Sequence, residues 1–384
     1  MIDTLIGQPV AAIDTPALVL DLDAMERNLH AMAAFAREHG LRLRPHGKMH
    51  KSAQLGRMQI AAGAVGLCVQ KTAEAERLAE GGIDDLFISN QIIAPAKLAR
   101  VAALAERLAA RGGRLAIAVD STLGIERLAA AMAALSAASQ AGSARIDVFV
   151  EIDVGQHRCG VAPGAPAVAL VHEVLRHPGL RYAGLQAYHG SAQHRRTVAE
   201  RREAIDSVAA DVRATCALLR AAGIEPGLVT GAGTGSFGFE AASGVFGELQ
   251  VGSYLFMDAD YARNQPSPGQ PAFEHALFVK SQVISRSGAG LSGHAVVDAG
   301  HKSYAVDCGL PGVWGAALQL TGASDEAGVL RGAVLPELGD TVWLIPGHCD
   351  PTVNLHDRLV GVRGGLIGGV VESLIAVDAR GALQ

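Results

Sequence analysis

The chain has little charge, few aromatic residues and few cysteines. Charged residues make up 18% and aromatic residues 4% of its 384 positions, and the formal net charge is −5. Such a chain lacks the strongly basic face that nucleic-acid binding usually needs, so we expect no nucleic-acid partner. The five cysteines are scattered and odd in number, which argues against a disulfide framework and favours a reducing compartment.

Two further absences concern membranes and export. The sequence contains no run of about 18 uninterrupted apolar residues, so it predicts no membrane span. The opening MIDTLIGQPVAAIDTP has no basic stretch followed by a long apolar core, so no secretory signal is evident. We therefore expect a soluble, cytoplasmic protein. Hydrophobic residues are abundant at 49%, and a chain of this length is expected to form two domains.

Short apolar runs alternate with helical stretches through the first two thirds of the chain. The helical stretches carry apolar residues at three- and four-residue spacing and end at Gly. Fully apolar runs are typical of parallel strands that are buried on both faces. Eight such strands predict a closed (β/α)₈ barrel, with a doubly wound open sheet as the rival architecture. The predicted strands are 41–46, 66–71, 85–90, 114–120, 146–153, 182–188, 227–233 and 248–254.

The pattern changes at NQPSPGQP (264–271), which has the composition of a linker. Strand patterns such as DTVWLIPG, separated by Gly-rich turns, follow it. The sequence therefore predicts an α/β chain with a (β/α)₈ barrel over residues 14–262. A second, mainly β domain is predicted over residues 263–384, together with residues 1–13.

Basic residues cluster directly after the first predicted strand, in RPHGKMHKS (44–52). Catalytic groups of such barrels lie at the carboxyl ends of the strands, which is where Lys48 falls. Its cationic neighbours are expected to lower the pKa of Lys48 and to leave a neutral amine that attacks an aldehyde. A solvated basic turn is the plainer interpretation, and Lys51 competes for the same role.

A glycine-rich segment, TGAGTGSF (230–237), follows the seventh predicted strand. Its backbone N–H groups are able to bind a phosphate, and in these barrels the phosphate site lies after strands seven and eight. The hydroxyl of Tyr254, at the end of the eighth strand, would contact the same anion. An amine and a phosphate site at one barrel end together suggest pyridoxal phosphate, which is an aldehyde that carries a phosphate.

The segment PGHCDPTVNLHD holds a candidate for half of a metal site. His348 and Asp350 are two residues apart, so in an extended segment both side chains point to the same face. An imidazole and a carboxylate suit a divalent ion such as Mn²⁺, Mg²⁺ or Zn²⁺. A hydrogen-bonded His–Asp pair in a turn is the alternative, and Cys349 is expected to pack on the opposite face.

Taken together, these segments resemble the fold-type III pyridoxal-phosphate enzymes with an alanine-racemase-like barrel. Within them the chain is similar to the D-threonine aldolase, D-serine dehydratase and β-hydroxyaspartate aldolase group. The likeness runs over nearly the whole chain. It is carried by TPALVLDLDAMERN, RPHGKMHKS, CVQK, EIDVGQHRCGV, GLQAYHGSAQH, TGAGTGS, ELQVGSYLFMDADY and PGHCDPTVNLHD. The resemblance implies a homodimeric lyase that acts on a small amino acid near the subunit interface.

The resemblance also implies roles for individual residues. Lys48 would hold pyridoxal phosphate as a Schiff base, and His194 would act as general base beside the metal ion and the substrate hydroxyl. His348 and Asp350 would bind the metal ion, Mn²⁺ or Mg²⁺ with Zn²⁺ as a further candidate. The residues that would contact or border the cofactor's ring and phosphate are Gln70, Arg158, Tyr188, Thr230, Gly233, Thr234 and Tyr254.

Two departures from the group's pattern affect the expected reaction. Asp350 stands where vertebrate-type D-serine dehydratases place Cys, which favours the aldolase branch and a harder metal ion. Ala327 stands where relatives often carry His, which leaves the substrate preference open. We expect cleavage of D-3-hydroxy amino acids to glycine and an aldehyde. The alternatives are dehydration to a 2-oxo acid and ammonia, racemisation, and pyridoxal-phosphate binding without catalysis.

Overall fold

The computed structural model describes residues 2–138, 144–288 and 293–384. Strand β1 (Ala17–Asp21) leads directly into helix α1 (Leu22–Glu38). The Asp21 carboxylate accepts hydrogen bonds from the N–H groups of Asp23 and Ala24 at 3.0 and 3.1 Å, so it caps the helix. Buried residues recur every three or four positions along α1, which turns its apolar face toward the interior.

Eight short strands follow and form a single parallel sheet, in the order β2-β9-β8-β7-β6-β5-β4-β3. A parallel bridge between His46 and Cys68 joins the two outer strands, and the N–H of Gly47 donates to the Cys68 carbonyl oxygen at 2.7 Å. The sheet therefore closes, and the predicted (β/α)₈ barrel is confirmed, with an observed strand overlapping each predicted one. The strands are β2 (Arg42–Leu43), β3 (Leu67–Val69), β4 (Asp85–Ile88), β5 (Arg114–Val119), β6 (Ile146–Glu151), β7 (Leu180–Ala187), β8 (Leu228–Gly231) and β9 (Glu248–Leu249).

Helices cover the outside of this barrel, and their apolar faces pack against the strands in one large buried cluster. Aromatic and small side chains fill the inside, where the ring centroids of Phe87 and Phe149 lie 4.7 Å apart. A filled interior confines solvent-accessible space to the ends of the barrel. The helices are α2 (Ala53–Ala61), α3 (Thr72–Glu80), α4 (Pro95–Ala109), α5 (Thr122–Ala138), α6 (Ala165–Leu175), α7 (Val198–Ala221) and α8 (Phe237–Ser243).

A second, nine-stranded sheet is built mainly from the last third of the chain, which confirms the predicted β-rich unit. Strand β1 inserts into this sheet, antiparallel to β10 and parallel to β16, and was not predicted as a strand. No helix within the described ranges is both long and apolar enough to cross a membrane. The remaining elements are β10 (Leu277–Ser287), β11 (His294–Val297), β12 (Gly312–Val313), β13 (Leu318–Ala323), β14 (Gly328–Gly332), β15 (Thr341–Ile345), α9 (Cys349–Val353), β16 (Arg358–Arg363) and β17 (Val370–Ala376).

Candidate active site

A cavity opens at the carboxyl ends of the barrel strands, where the second sheet contributes helix α9. Seven of the eleven residues predicted for the site line it, from both halves of the molecule: Lys48, Gln70, Arg158, Tyr188, Gly233, Thr234 and Asp350. The other lining residues are His46, Met49, Ser89, Gln186, Ala232, Gln250, Gly252, Ser253 and Tyr261. The structure thus brings together groups that lie up to 300 positions apart in the sequence.

Lys48 lies in the turn after β2, and its Nζ donates to Oδ2 of Asp350 across the cavity. Burial, the largest effect, opposes the charged form of the amine, but Asp350, Tyr188 and Glu74 together raise the pKa of Lys48 overall. The same contact acts on the carboxyl group: burial raises the pKa of Asp350, and the Lys48 ammonium and His348 lower it overall. The expectation of a lowered pKa at Lys48 is therefore wrong for the protein without ligands.

The basic neighbours of Lys48 do not surround it, which explains the error. The Arg44 guanidinium turns to the opposite end of the barrel, where its Nε donates to Glu248 at 3.2 Å. The Lys51 ammonium donates to Oδ1 of Asn354 at 3.0 Å and pairs with a buried glutamate. Each of these cations has its own partner, so Lys48 is the lysine of this segment that faces the cavity.

His46 and Ser89 belong to the cavity wall but were not among the predicted site residues. Nε2 of Gln70 lies 3.0 Å from Nε2 of His46 and also donates to the Ser89 hydroxyl at 3.0 Å. Burial, and next the Lys48 charge, hold the pKa of His46 well below its usual range. An uncharged imidazole and a fixed amide therefore form one wall. Their positions at the carboxyl ends of the predicted strands 41–46 and 85–90 were the signal available in the sequence.

The glycine-rich turn after β8 forms the opposite wall. Within the described part of the chain, the N–H groups of Gly233 and Thr234 have no hydrogen-bond partner. Buried N–H groups are nearly always paired, so these two are available to an anion. A Cβ on Gly233 would lie 2.5 Å from Oε1 of Gln193, which accepts from the Gly235 N–H at 2.9 Å. Only glycine fits this close approach.

Two of the residues predicted to bind or border the phosphate do not reach the cavity. The Thr230 hydroxyl is fully buried and donates to Glu248 at 2.9 Å. The Tyr254 hydroxyl accepts from Nε2 of Gln59 at 3.1 Å in the packed interior. The Tyr254 N–H donates to Oγ1 of Thr234 at 3.0 Å, so the backbone of Tyr254 contacts the glycine-rich turn while its ring is buried. Gly252 and Ser253 line the cavity in its place.

Arg158 and Tyr188 lie on a third side of the cavity. The guanidinium carbon of Arg158 is 6.0 Å from the centroid of the Tyr188 ring, within range of a cation–π contact. Burial raises the pKa of the Tyr188 hydroxyl, which stays protonated and able to donate a hydrogen bond. A flat aromatic ligand between this pair and the His46 wall would have polar groups on both faces.

The predicted metal pair lies at the cavity mouth, in a different backbone conformation from the one predicted. His348 is extended but Asp350 is in the first turn of α9, and Nε2 of His348 lies 3.7 Å from Oδ1 of Asp350. Oδ1 is buried without a hydrogen-bond partner. The Nδ1–H of His348 donates to Asp307 at 2.7 Å, so Nε2 presents its lone pair to Oδ1.

This arrangement fits a divalent cation. Nε2 of His348 and Oδ1 of Asp350, both able to bind a metal ion, face each other at 3.7 Å, and Oδ1 has no hydrogen-bond partner. Divalent ions bind nitrogen and oxygen donors at about 2.1 Å, so one ion between the two atoms would contact both. In metal sites, the histidine nitrogen that does not bind the metal ion commonly donates to a carboxylate, as Nδ1 of His348 does to Asp307. Cys349 is buried and packs away from the pair, as predicted.

His194 lies beside the cavity and not in its wall. It ends a short 3₁₀ helix, Gly190–His194, and its side chain is 48% exposed. Its Nδ1–H donates to Asp260 at 2.6 Å, which leaves Nε2 as a proton acceptor. Asp260 also accepts from Arg196 at 2.5 Å, and although burial raises its pKa, these two partners lower it overall. The ring of Tyr261, a cavity residue, is 5.9 Å from His194.

Comparison with known proteins places this site in a family. Residues 20–260 match the family described as alanine racemase, N-terminal domain, and residues 276–362 match the putative serine dehydratase domain. The chain belongs to the alanine racemase N-terminal domain family, as the resemblance of its motifs predicted. Both matches together cover the barrel and the part of the second sheet that carries α9.

Two relatives and one solved structure that are similar to this chain over nearly its full length are aldolases by name. A D-threonine aldolase of Arthrobacter sp. is 46% identical over 379 residues, covering 98% of this chain and 95% of the relative. A 3-hydroxy-D-aspartate aldolase of Paracoccus denitrificans (strain Pd 1222) is 42% identical over 99% of this chain and 95% of the relative. The crystal structure of D-threonine aldolase from Filomicrobium marinum superposes with a TM-score of 0.93 at 46% identity, covering 99% of both chains.

Proposed function

We propose that this protein is a carbon–carbon lyase that uses pyridoxal phosphate and a divalent metal ion. It cleaves D-3-hydroxy amino acids resembling D-threonine to glycine and an aldehyde. The observation that carries the proposal is one cavity lined by Lys48, by Gly233 and Thr234 with their unpaired N–H groups, and by Asp350, which has His348 beside it at 3.7 Å. Aldolases with these substrates in their names are related to the chain over nearly its full length.

The residues of the cavity suit each part of the cofactor. Lys48 would hold it covalently through Nζ, and the N–H groups of Gly233 and Thr234 would bind its phosphate. Gln70, Arg158 and Tyr188 would contact the ring. When bound, pyridoxal phosphate supplies an electron sink for the bond that breaks. Thr230 and Tyr254 would support the phosphate-binding turn from the interior of the barrel. The Thr230 hydroxyl donates to Glu248, and the Tyr254 N–H donates to the Thr234 hydroxyl.

His348 and Asp350 would hold the metal ion, Mn²⁺ or Mg²⁺ with Zn²⁺ as a further candidate. Such an ion lowers the pKa of a hydroxyl bound to it. His194 would accept the proton of the substrate β-hydroxyl at Nε2, because its Nδ1–H is already donated to Asp260. The charge that the His194 imidazole gains is stabilised by the Asp260 carboxylate. Asp307 would keep the His348 imidazole in the tautomer that leaves Nε2 free for the metal ion.

Three further features of the protein belong to this proposal. We infer a division into residues 14–262 and residues 263–384 with 1–13, with β1 crossing into the second sheet. We infer a homodimer, since the side chain of His194, a proposed site residue, is 48% exposed beside the cavity, where a second subunit would cover it. We infer a cytoplasmic location, in which five unpaired cysteines remain reduced.

Product analysis with D-threonine tests the proposed reaction. Purified protein supplied with pyridoxal phosphate and Mn²⁺ is expected to release glycine and acetaldehyde in equal amounts. Removing the divalent ion with a chelator is expected to stop the reaction, and Mn²⁺ or Mg²⁺ to restore it. Formation of 2-oxobutyrate and ammonia would identify a dehydratase. Formation of L-allo-threonine, the product of inversion at Cα alone, or activity that survives chelation, would contradict the aldolase assignment.

A further inference from the structure

A second group of metal-binding side chains lies beside the His348–Asp350 pair. Asp307 and Cys308 lie in the loop between β11 and β12, and with His348 they place a carboxylate oxygen, a sulfur and a ring nitrogen within 4.8 Å of one another. Oδ2 of Asp307 is 2.7 Å from Nδ1 of His348 and 3.7 Å from Sγ of Cys308. These contacts are on the side of the imidazole opposite to Asp350.

We propose that Asp307, Cys308 and His348 form a second metal site, for a thiophilic divalent ion such as Zn²⁺ or Cd²⁺. This ion competes with the ion between His348 and Asp350 for the same imidazole. The competition, but not the site, rests on the function proposed above. The consequence is a protein that requires one divalent ion and is inhibited by another.

The donor sets of the two positions select different ions. A thiolate, an imidazole and a carboxylate match the ligands of zinc sites, and a fourth position remains for water. The His348–Asp350 pair offers only nitrogen and oxygen, which suits Mn²⁺ or Mg²⁺ as well. Sulfur is the donor that separates the two sites, since Mn²⁺ and Mg²⁺ bind thiolates poorly and Cd²⁺ and Zn²⁺ bind them well.

The chemistry of imidazole makes the two sites mutually exclusive. A neutral imidazole has one N–H and one lone pair, so only one of its nitrogens binds a metal ion. In the structure the proton is at Nδ1, donated to Asp307, and the lone pair at Nε2 faces Asp350. When an ion binds Nδ1, the ring carries its proton at Nε2 instead, and this Nε2–H donates a hydrogen bond to the Asp350 carboxylate. The Cys308 thiol proton is released to solvent in the same step.

The second site is reachable and lies in a negative environment. Cys308 is partly exposed, and the Asp307 side chain is 51% exposed. The carboxylates of Asp258 and Asp260 are close enough to act on the Cys308 sulfur electrostatically. Arg263 is the nearby opposite charge, but its guanidinium is engaged by Asp260 and by the Cys308 carbonyl oxygen at 3.0 Å. The Asp307 carboxylate is therefore the acidic ligand that an incoming cation meets beside the sulfur.

Cadmium titration of the full-length, metal-stripped protein tests the site directly, because a Cd²⁺–thiolate bond absorbs in the ultraviolet and this absorbance needs no catalysis. Wild type and Cys159→Ser are expected to show one Cd²⁺–thiolate absorbance per chain, and Cys308→Ser none. Cys159 is the matched control, a partly exposed cysteine outside the cluster. No absorbance in wild type, or an unchanged absorbance in Cys308→Ser, would overturn the site.

Electron paramagnetic resonance of free Mn²⁺ tests the competition. With Mn²⁺ bound, added Cd²⁺ is expected to release it from wild type and from Cys159→Ser. Cys308→Ser is expected to need at least about tenfold more Cd²⁺ for the same release, the size of effect typical for altered metal surroundings. Equal release from all three proteins, or none, would overturn the competition. An inactive protein that passes both tests would refute the proposed lyase function alone.

Discussion

Replacing Gly233 by alanine is expected to destabilise the phosphate-binding turn, at a free-energy cost that follows from the contacts around Gly233. The new Cβ would lie 2.5 Å from Oε1 of Gln193, so either the glutamine or the turn must move. Gln193 is fully buried and makes two good hydrogen bonds there, accepting from the Gly235 N–H at 2.9 Å and donating to the Ser236 hydroxyl at 2.7 Å. Losing two such bonds at roughly 1 kcal/mol each costs about 2 kcal/mol.

This free-energy cost is divided between the stability of the folded protein and its affinity for pyridoxal phosphate. If Gln193 moves, the free energy of unfolding of the cofactor-free protein falls. If the turn moves, the affinity for pyridoxal phosphate falls instead, by about 30-fold for the full 2 kcal/mol. Denaturant unfolding and a pyridoxal-phosphate absorbance titration measure the two parts. We expect their sum to be about 2 kcal/mol in Gly233→Ala.

Gly322→Ala is the matched control, because a Cβ at Gly322 meets no atom within 4 Å. It is expected to change both quantities by less than about 0.5 kcal/mol, as surface substitutions usually do. If Gly233→Ala proves indistinguishable from Gly322→Ala in both measurements, the turn does not depend on Gln193. The assignment of the phosphate site to the Gly233–Thr234 turn would then be refuted.

Two other substitutions test the metal pair and a buried carboxyl group. Asp350→Asn is expected to weaken Mn²⁺ binding, measured by calorimetry, by about tenfold or more. The control Asp325→Asn, at an exposed position, is expected to leave the Mn²⁺ affinity unchanged. If the two variants bind Mn²⁺ equally well, Asp350 is not a metal ligand. Burial raises the pKa of Glu240 from 4.5 to about 7. The folded protein therefore holds this proton longer than the unfolded chain, and stability is lost as pH rises from about 4.5 to 7. Glu240→Gln is expected to flatten that part of the stability–pH curve, and an unaltered slope would contradict the assignment.

The barrel was predictable because its signal is local. Each strand is a short apolar run followed by an amphipathic helix, and eight repeats of this unit leave few other architectures. Strand β1 carries the same kind of apolar run, ALVLD, but its partners β10 and β16 lie more than 250 positions away. Nothing in the neighbouring sequence distinguishes it from the start of α1.

The sequence indicated several of the residues that meet at the cavity, but not the charge state of Lys48. Lys48 and Gly233 were found because each lies at the end of a predicted barrel strand, and Asp350 because of its two-residue spacing to His348. The charge state of Lys48 was not, because a cluster of cations in the sequence does not show where each side chain turns. Arg44 and Lys51 pair with carboxylates elsewhere. Asp350, which helps to raise the pKa of Lys48 against the effect of burial, lies about 300 positions away in α9.

Side-chain direction also limits what sequence spacing shows. Tyr254 follows the eighth strand, as a phosphate-binding residue should, but its ring lies in the interior and its backbone N–H is the group that contacts Thr234. Asp307 is the opposite case, since it contacts His348 across 41 positions from a loop without a recognisable motif. Contacts of this kind depend on the packing of two sheets, which no single segment encodes.

Borohydride reduction of the protein in the presence of pyridoxal phosphate, followed by peptide mass spectrometry, tests the central claim most directly. The account predicts one cofactor adduct, located on Lys48, which is lost in Lys48→Ala and retained in Lys51→Ala. An adduct on Lys51, or protein that carries no adduct after reduction, would contradict it.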